Sequence, residues 1–374
     1  VILVFANVNS SLLRARIAIL KRLGEDVVVV ANADCDEVDV DVGFKIIRPL
    51  CCKNRTLRYI ASTILTFWLI LGYRPKLIII HWGSRLWQTL AFLPFRERLL
   101  VSCMGGDIDK AQDFKGQKAF WASILLKNAA AVTVKSLCMK QMLMDNVKGI
   151  KENRIHMISW GVSECFTTPQ PDDELQAWSG GATLFFCVRA MQPFYRKEEV
   201  LNAFLHFKRE GRSSAKLAIS TLRPDKAYLD SLREIAKQSE FADDILFFIV
   251  PHERMPMAFA SCDAVISFAP SDGLPQSFME ALAVGVFVIA SNIEHYDELL
   301  HPDNSILCDD EYSLSKAFLE VDSKRPKPGK SLDAAVVLDI DLQTYEYLEI
   351  CESFLASYCL QSGIIRKKDN GLNN

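Results

Sequence analysis

Unbroken apolar runs recur along this chain, each followed by a segment of helical period, and that alternation decides most of what it can fold into. VILVFAN, DVVVVAN, KLIIIHW, RLLVSC and AAVTVKS lie in the first half, and TLFFCVRA, AKLAIS, ILFFIV, AVISFA and VFVIAS in the second. A run with no polar alternation has no solvent face, so each reads as a strand buried on both sides. Such strands belong to parallel sheets covered by helices on both faces. The segments between them predict helices over 54–71, 197–210, 228–239 and 253–260, with others beginning near Ser84 and Phe278. The expected fold class is α/β, with two doubly wound sheets facing across a cleft. Ligands of such sheets bind outside the carboxyl ends of the strands.

The 374 residues suit two domains of ordinary size. We place an N-terminal domain at 1–166 and a second at 167–340. A helix over 341–362 packs back on the first domain, and 363–374 form a tail. The polar stretch 167–181, rich in Pro, Asp and Gly, reads as the linker. Half the residues are hydrophobic and 24% are charged, enough apolar material for real cores. The formal net charge of −3 conceals an asymmetry. Residues 1–165 carry a balance of +9, and 166–374 one of −12. Between Val42 and Gly106 stand ten basic residues and one acid, Glu97. A field of that kind attracts phosphates, anionic membrane or nucleic acid.

The longest apolar stretch, Tyr59–Leu71, has thirteen residues, against about 20 for a spanning helix. The opening residues show neither a basic n-region nor a small-residue cleavage site, so the expected location is cytoplasmic. Eleven cysteines without metal-type spacing read as reduced, mostly buried thiols.

The most informative segment is SDGLPQSFMEALAVGVFVIASNIEHYDELL, residues 271–300. A strand ends near Ala269, a turn holds Asp272 and Gly273, and a helix starts near Ser277. A helix N-terminus offers N–H groups and a positive dipole end to an anion. Asp272 and Glu280, eight apart, can face one site, and carboxylates accept hydrogen bonds from sugar hydroxyls. The plainer alternative is that Ser277 and Glu280 form an S-x-x-E capping box and that Asp272-Gly273 is a common turn.

Taken together, Asp272, Gly273, Glu280, Ala281, Gly285, Ser291 and Glu298 resemble the donor-binding signature of the retaining glycosyltransferases of family 4, the group 1 transferases. ISWGVSECF, VRAMQPFYRKEEVLNAF, HERMPMAFASCDAVISFAPSDG and SCMGGDID resemble further segments of that family in the same order. The resemblance covers about four fifths of the chain, and it implies the GT-B fold of two Rossmann-like domains. It departs from the family at Asp272, where Glu is usual, and at Met104, where many relatives carry His. The first loop, Asn7-Val8-Asn9-Ser10-Ser11, also lacks the family's glycines.

What the resemblance implies is transfer of a sugar, with retention, from a nucleotide-sugar donor to an acceptor hydroxyl. The pathway is bacterial cell-surface polysaccharide or lipopolysaccharide synthesis. Arg189 and Lys197, with Arg196 as an alternative, contact the donor diphosphate. Asp272 holds the transferred sugar, Gly273 and Leu274 offer backbone N–H groups, and Glu280 binds the ribose. Pro251 and His252 lie near the base, and Asp107 is the remaining polar candidate of the GGD loop. No cofactor or metal is expected; Asp39-Val40-Asp41 spells D-x-D by coincidence. The acceptor is a sugar or a lipid-linked sugar.

The basic stretch predicts an interfacial helix over Tyr59–Leu71 that docks on anionic membrane, flanked by Lys53, Arg55, Arg58, Arg74 and Lys76. The protein would then be peripheral on the inner face of the plasma membrane. The competing reading packs Ile60, Ile64, Phe67, Trp68 and Leu71 on the sheet. An inactive sugar- or nucleotide-binding subunit of the same fold is the functional alternative. A dehydrogenase is disfavoured because no G-x-G-x-x-G follows a strand. A nucleic-acid partner is disfavoured because no recognisable module interleaves basic and aromatic residues.

Overall fold

The structure, a computed structural model, describes residues 1–8, 11–31, 44–48, 54–81, 88–110, 114–211, 213–326 and 340–361. The chain divides into two compact units, Val1–Ser159 with Asp341–Asn374, and Trp160–Ile340. Asp39 and Asp41, Asn9, Ser10, Lys53 and the tail from 363 lie outside the described residues, as do the side chains of Arg55 and Arg58.

In the first unit the elements run β1 (Ile2–Ala6), α1 (Ser11–Ile19), β2 (Val27–Ala31), β3 (Lys45–Ile47), α2 (Arg55–Tyr73), β4 (Leu77–His81), α3 (Gln88–Phe92), β5 (Leu99–Ser102), α4 (Gly116–Asn128), β6 (Ala131–Val134), α5 (Leu137–Asn146) and β7 (Ile155–Met157). The seven strands form one parallel sheet in the order β3-β2-β1-β4-β5-β6-β7. Residues of β1, β2, β4 and β5 are buried at successive positions, as the unbroken apolar runs require. Leu3, Phe5, Ile78, Ile80 and Val101 enter a core with Phe92, Leu125 and Leu143.

The second unit contains α6 (Asp173–Ser179), β8 (Leu184–Cys187), α7 (Lys197–Gly211), β9 (Lys216–Ser220), α8 (Lys226–Gln238), β10 (Ile245–Phe248), α9 (Met255–Ser261), β11 (Ala264–Ser267), α10 (Gln276–Val284), β12 (Phe287–Ser291), β13 (Ser305–Cys308) and α11 (Glu311–Lys324). Its parallel sheet has the order β10-β9-β8-β11-β12-β13. Strand residues divide alternately between two cores. Phe185, Cys187, Leu217 and Ile289 meet Phe204, Phe207 and Phe318. Phe186, Val188, Ala218 and Val288 meet Phe259, Phe278 and Tyr296. That division is the two-period of a strand expressed as two covered faces.

The stretch 167–181 is not simply a linker. It contains α6, whose N-cap Asp172 accepts from the N–H groups of Glu174 and Leu175. The chain closes with α12 (Ile340–Gln361), which belongs to the first unit. There the ring of Tyr347 lies 4.5 Å from the guanidinium of Arg16, and Tyr358 lies 4.5 Å from that of Arg98.

The competing reading of the apolar stretch, packing on the sheet, fails on α2. Its exposed large apolar residues are Leu57, Ile60, Ile64, Phe67, Trp68 and Leu71, and its buried residues include Ser62, Thr66 and Ile70. These six large apolar side chains therefore do not pack on the sheet, whereas Ile70, Leu69 and Tyr73 join its core. Among the described residues no helix is long and apolar enough to cross a membrane.

Candidate functional site

In the second unit the connections leave β8 for one face of the sheet and β11 for the other, so the two neighbouring strands mark its topological switch point. The loops after these two strands carry Arg189 and Asp272. Arg189 Nη2 lies 2.5 Å from Asp272 Oδ2, with both side chains largely shielded. Arg189 also donates to the Tyr195 hydroxyl at 3.4 Å, and its guanidinium lies 4.8 Å from the Tyr195 ring centre. Burial alone opposes a charge here, but Asp272 and the tyrosine hydroxyls outweigh it and raise the Arg189 pKa. Tyr296, fully buried, contributes to the same field, and burial raises its own pKa.

The Arg189 backbone has φ 79°, in the left-handed region that favours glycine. Lys197 explains how it is held there. This ammonium, 0% exposed at the start of α7, donates to the carbonyls of Ser220 (2.7 Å), Arg189 (3.0 Å) and Cys187 (3.4 Å). It thus ties the carboxyl ends of β8 and β9 together beneath the Arg189 side chain. Burial pushes the ammonium pKa down to about 8. Arg196 instead points toward Glu199, 3.6 Å away on the exposed first turn of α7.

Below β11, Gly273 and Leu274 are buried and lead into α10, whose N-cap is Pro275. Proline has no side-chain acceptor to give the first turn, so this end suits an external anion. The S-x-x-E capping box is not formed. Ser277 stands inside the helix, and its buried hydroxyl has no hydrogen-bond partner among the described residues. Glu280 is also buried, in the second turn of α10 and not at the capping position, and its Oε1 lies 3.5 Å from His252 Nε2. His252 comes from the turn after β10, beside the Phe166 ring. Pro251, just before it, is exposed.

Two groups therefore assemble in the second unit, Arg189–Tyr195–Lys197–Asp272 and Glu280–His252. Asp107 belongs to the first unit, where its buried carboxylate accepts from the N–H groups of Met104 (2.9 Å) and Gly105 (3.0 Å). Tyr195 and Tyr296 were not singled out in the sequence, because nothing in their local pattern distinguishes them from core aromatics.

Residues 172–327 match the family model described as Glycosyl transferases group 1. No curated protein matches the chain. Solved structures share its fold across nearly the whole length. A glycosyltransferase from Rickettsia africae is 16% identical, with 95% of this chain and 98% of that one covered and a TM-score of 0.72. Anabaena HepE in complex with UDP-glucose is 13% identical (94% and 99% covered, TM-score 0.75). Sucrose-phosphate synthase from Thermosynechococcus elongatus is 13% identical (95% and 99%, TM-score 0.78). The two parallel-sheet units are those of the GT-B fold, and the chain carries a Glycosyl transferases group 1 domain over residues 172–327 and with it the glycosyltransferase class of enzyme.

Proposed function

We propose that this enzyme is a retaining, family 4 transferase that moves a sugar from a nucleotide-sugar to an acceptor hydroxyl. The acceptor is a sugar or a lipid-linked sugar, and the product serves bacterial cell-surface polysaccharide or lipopolysaccharide synthesis on the cytoplasmic side. The observation that carries this reading is the Arg189–Asp272 pair at the switch point of the second sheet. The nucleotide-sugar complex of Anabaena HepE supports the donor class.

In this reading Arg189 and the first-turn N–H groups of α10 neutralise the leaving diphosphate, which is where charge develops in the transition state. Gly273 and Leu274 bring backbone donors close, and the diphosphate draws Arg189 away from Asp272. The released carboxylate accepts from hydroxyls of the transferred sugar, and Glu280 accepts from those of the ribose. The bond from the anomeric carbon to phosphate oxygen breaks as the bond to the acceptor oxygen forms on the same face. The acceptor proton passes to the leaving phosphate, so no side-chain base is assigned. Charge neutralisation rests on Arg189 and backbone dipoles, and the reading calls for no metal.

Thermal unfolding with UDP, GDP, CDP and ADP tests the reading. A nucleotide at about 100 times its Kd stabilises the folded state by about 2.7 kcal/mol. We expect one of the four to raise the Tm of the wild type and to lose that effect in Arg189→Ala. If none raises it, the donor reading is wrong.

A further inference from the structure

Helix α2 sends Ile70, Leu69 and Tyr73 into the core but keeps a second apolar face outside. At 100° per residue, Leu57, Ile60, Ile64, Phe67, Trp68 and Leu71 fall on one arc of about 100°. Their exposure runs from 40% at Phe67 to 66% at Trp68. The opposite face, which lies on the protein, buries the hydroxyls of Ser62 and Thr66 beside Ile70. A helix that only covered its sheet would place these residue types the other way round. Half-exposed side chains of on the order of 200 Å² each make an apolar patch of roughly 600 Å², at the upper end of what single soluble chains display.

Cations outnumber acids around this patch, and Glu97, exposed beside Arg96, is the one acid of the stretch 42–106. Arg74, exposed, ends the helix. Lys45 lies over the ring of Tyr73 in its last turn. Phe95 touches Phe67 and is followed by the exposed Arg96. The sequence adds Lys53, Arg55 and Arg58 at the other end, and α2 itself contains no acid. The exposed arc offers no polar side chain that could set a register with a protein surface. It offers aliphatic groups and a tryptophan, which an apolar–aqueous boundary accepts without directional demands.

We propose that α2 lies in the surface of an anionic lipid bilayer, with Leu57, Ile60, Ile64, Phe67, Trp68 and Leu71 in the acyl boundary and the flanking cations on the headgroups. The helix would lie along the surface over about 21 Å between Leu57 and Leu71. This docking does not depend on which nucleotide the other unit binds.

The test uses the full chain and sedimentation with vesicles of phosphatidylcholine, alone or mixed with phosphatidylglycerol. We expect binding to the mixed vesicles, weakened by salt, and little binding to the neutral ones. The double variant Ile64→Gln/Trp68→Gln should bind on the order of tenfold more weakly or less, having lost two apolar anchors. Arg74→Gln/Arg96→Gln should shift the salt dependence. Leu319→Gln, at an exposed apolar site on α11, should bind as the wild type does. All these positions are exposed, and unchanged Tm values would show that the variants fold. Equal binding to neutral vesicles, or no effect of Ile64→Gln/Trp68→Gln, overturns the proposal. So does concentration-dependent dimerisation that the double variant abolishes, since the face would then belong to a second copy.

Discussion

Lys197, expected to contact the donor diphosphate, shows how a single buried side chain can also hold a site in shape through its backbone. Its three donors are spent on the carbonyls of Cys187, Arg189 and Ser220. Removing them leaves buried acceptors unsatisfied, at roughly 1–3 kcal/mol each. Lys197→Met should therefore lower the stability of the second unit by at least about 2 kcal/mol in denaturant titrations. It should also weaken nucleoside diphosphate binding, because the Arg189 backbone at φ 79° loses its anchor. A merely structural lysine predicts no pH signature. A positioning one predicts that binding declines as pH rises through about 8, where the buried ammonium gives up its proton, and that Lys197→Met removes this decline. Glu280 and Ser277 offer a second contrast. Glu280→Ala should cost at least about tenfold in donor affinity if a charge-assisted hydrogen bond is lost. Ser277→Ala, whose hydroxyl caps nothing, should cost little or none in calorimetric titration. The sequence placed these residues in order but left the capping box open, because a spacing of three fits an N-cap as well as a helix interior. What decided the matter was Pro275, which starts the helix earlier. The Arg189–Asp272 pair was legible only as two separate positions. Its closure depends on strands 77 residues apart in sequence lying side by side, and on a left-handed turn that an arginine does not advertise.

At the scale of elements, the central strands were readable because burial on both faces leaves them uniformly apolar. The edges were not. β3 and β13 are short and partly exposed, so their patterns carry no unbroken run, and α11 after β13 was missed with it. α2 was readable in extent but not in orientation, since two opposite faces of that helix both look credible until the sheet is present. α12 shows a distant element completing a unit. Tyr347 is fully buried and covers the guanidinium of Arg16, and Cys351 is buried beside them. Tyr347→Ala should remove a large aromatic from that core and cost roughly 3–5 kcal/mol. Hydrogen exchange should show the loss in β1, β4 and α1, with the protection of β8 and β11 unchanged. Loss of protection spread evenly over both units would count against α12 as a part of the first.

At the scale of the whole chain, the two units differ in charge and in what they bury, and this should separate them in acid. The first unit holds His81 at the end of β4, only 1% exposed. Burial, with Arg16 beside it, lowers its pKa to about 3. In the unfolded chain the same imidazole titrates near 6.5. Between those values the unfolded state binds a proton that the folded state excludes, so stability falls as pH drops from about 6.5 toward 3 and is fully retained above 6.5. Arg16 has the same cause acting on it, burial, which pushes its pKa down to about 10, outside the acid range. Calorimetric scans over pH 7 to 4 should then show a first-unit transition that moves down with acid. His81→Gln keeps that position neutral at every pH, so its transition should move less steeply over the same range, whatever its Tm at pH 7. Equal slopes for the wild type and the variant would mean that His81 can be protonated without opening the first unit, and the acid response would have to come from carboxylates such as Glu25, whose ion pair with Lys76 is lost as it protonates.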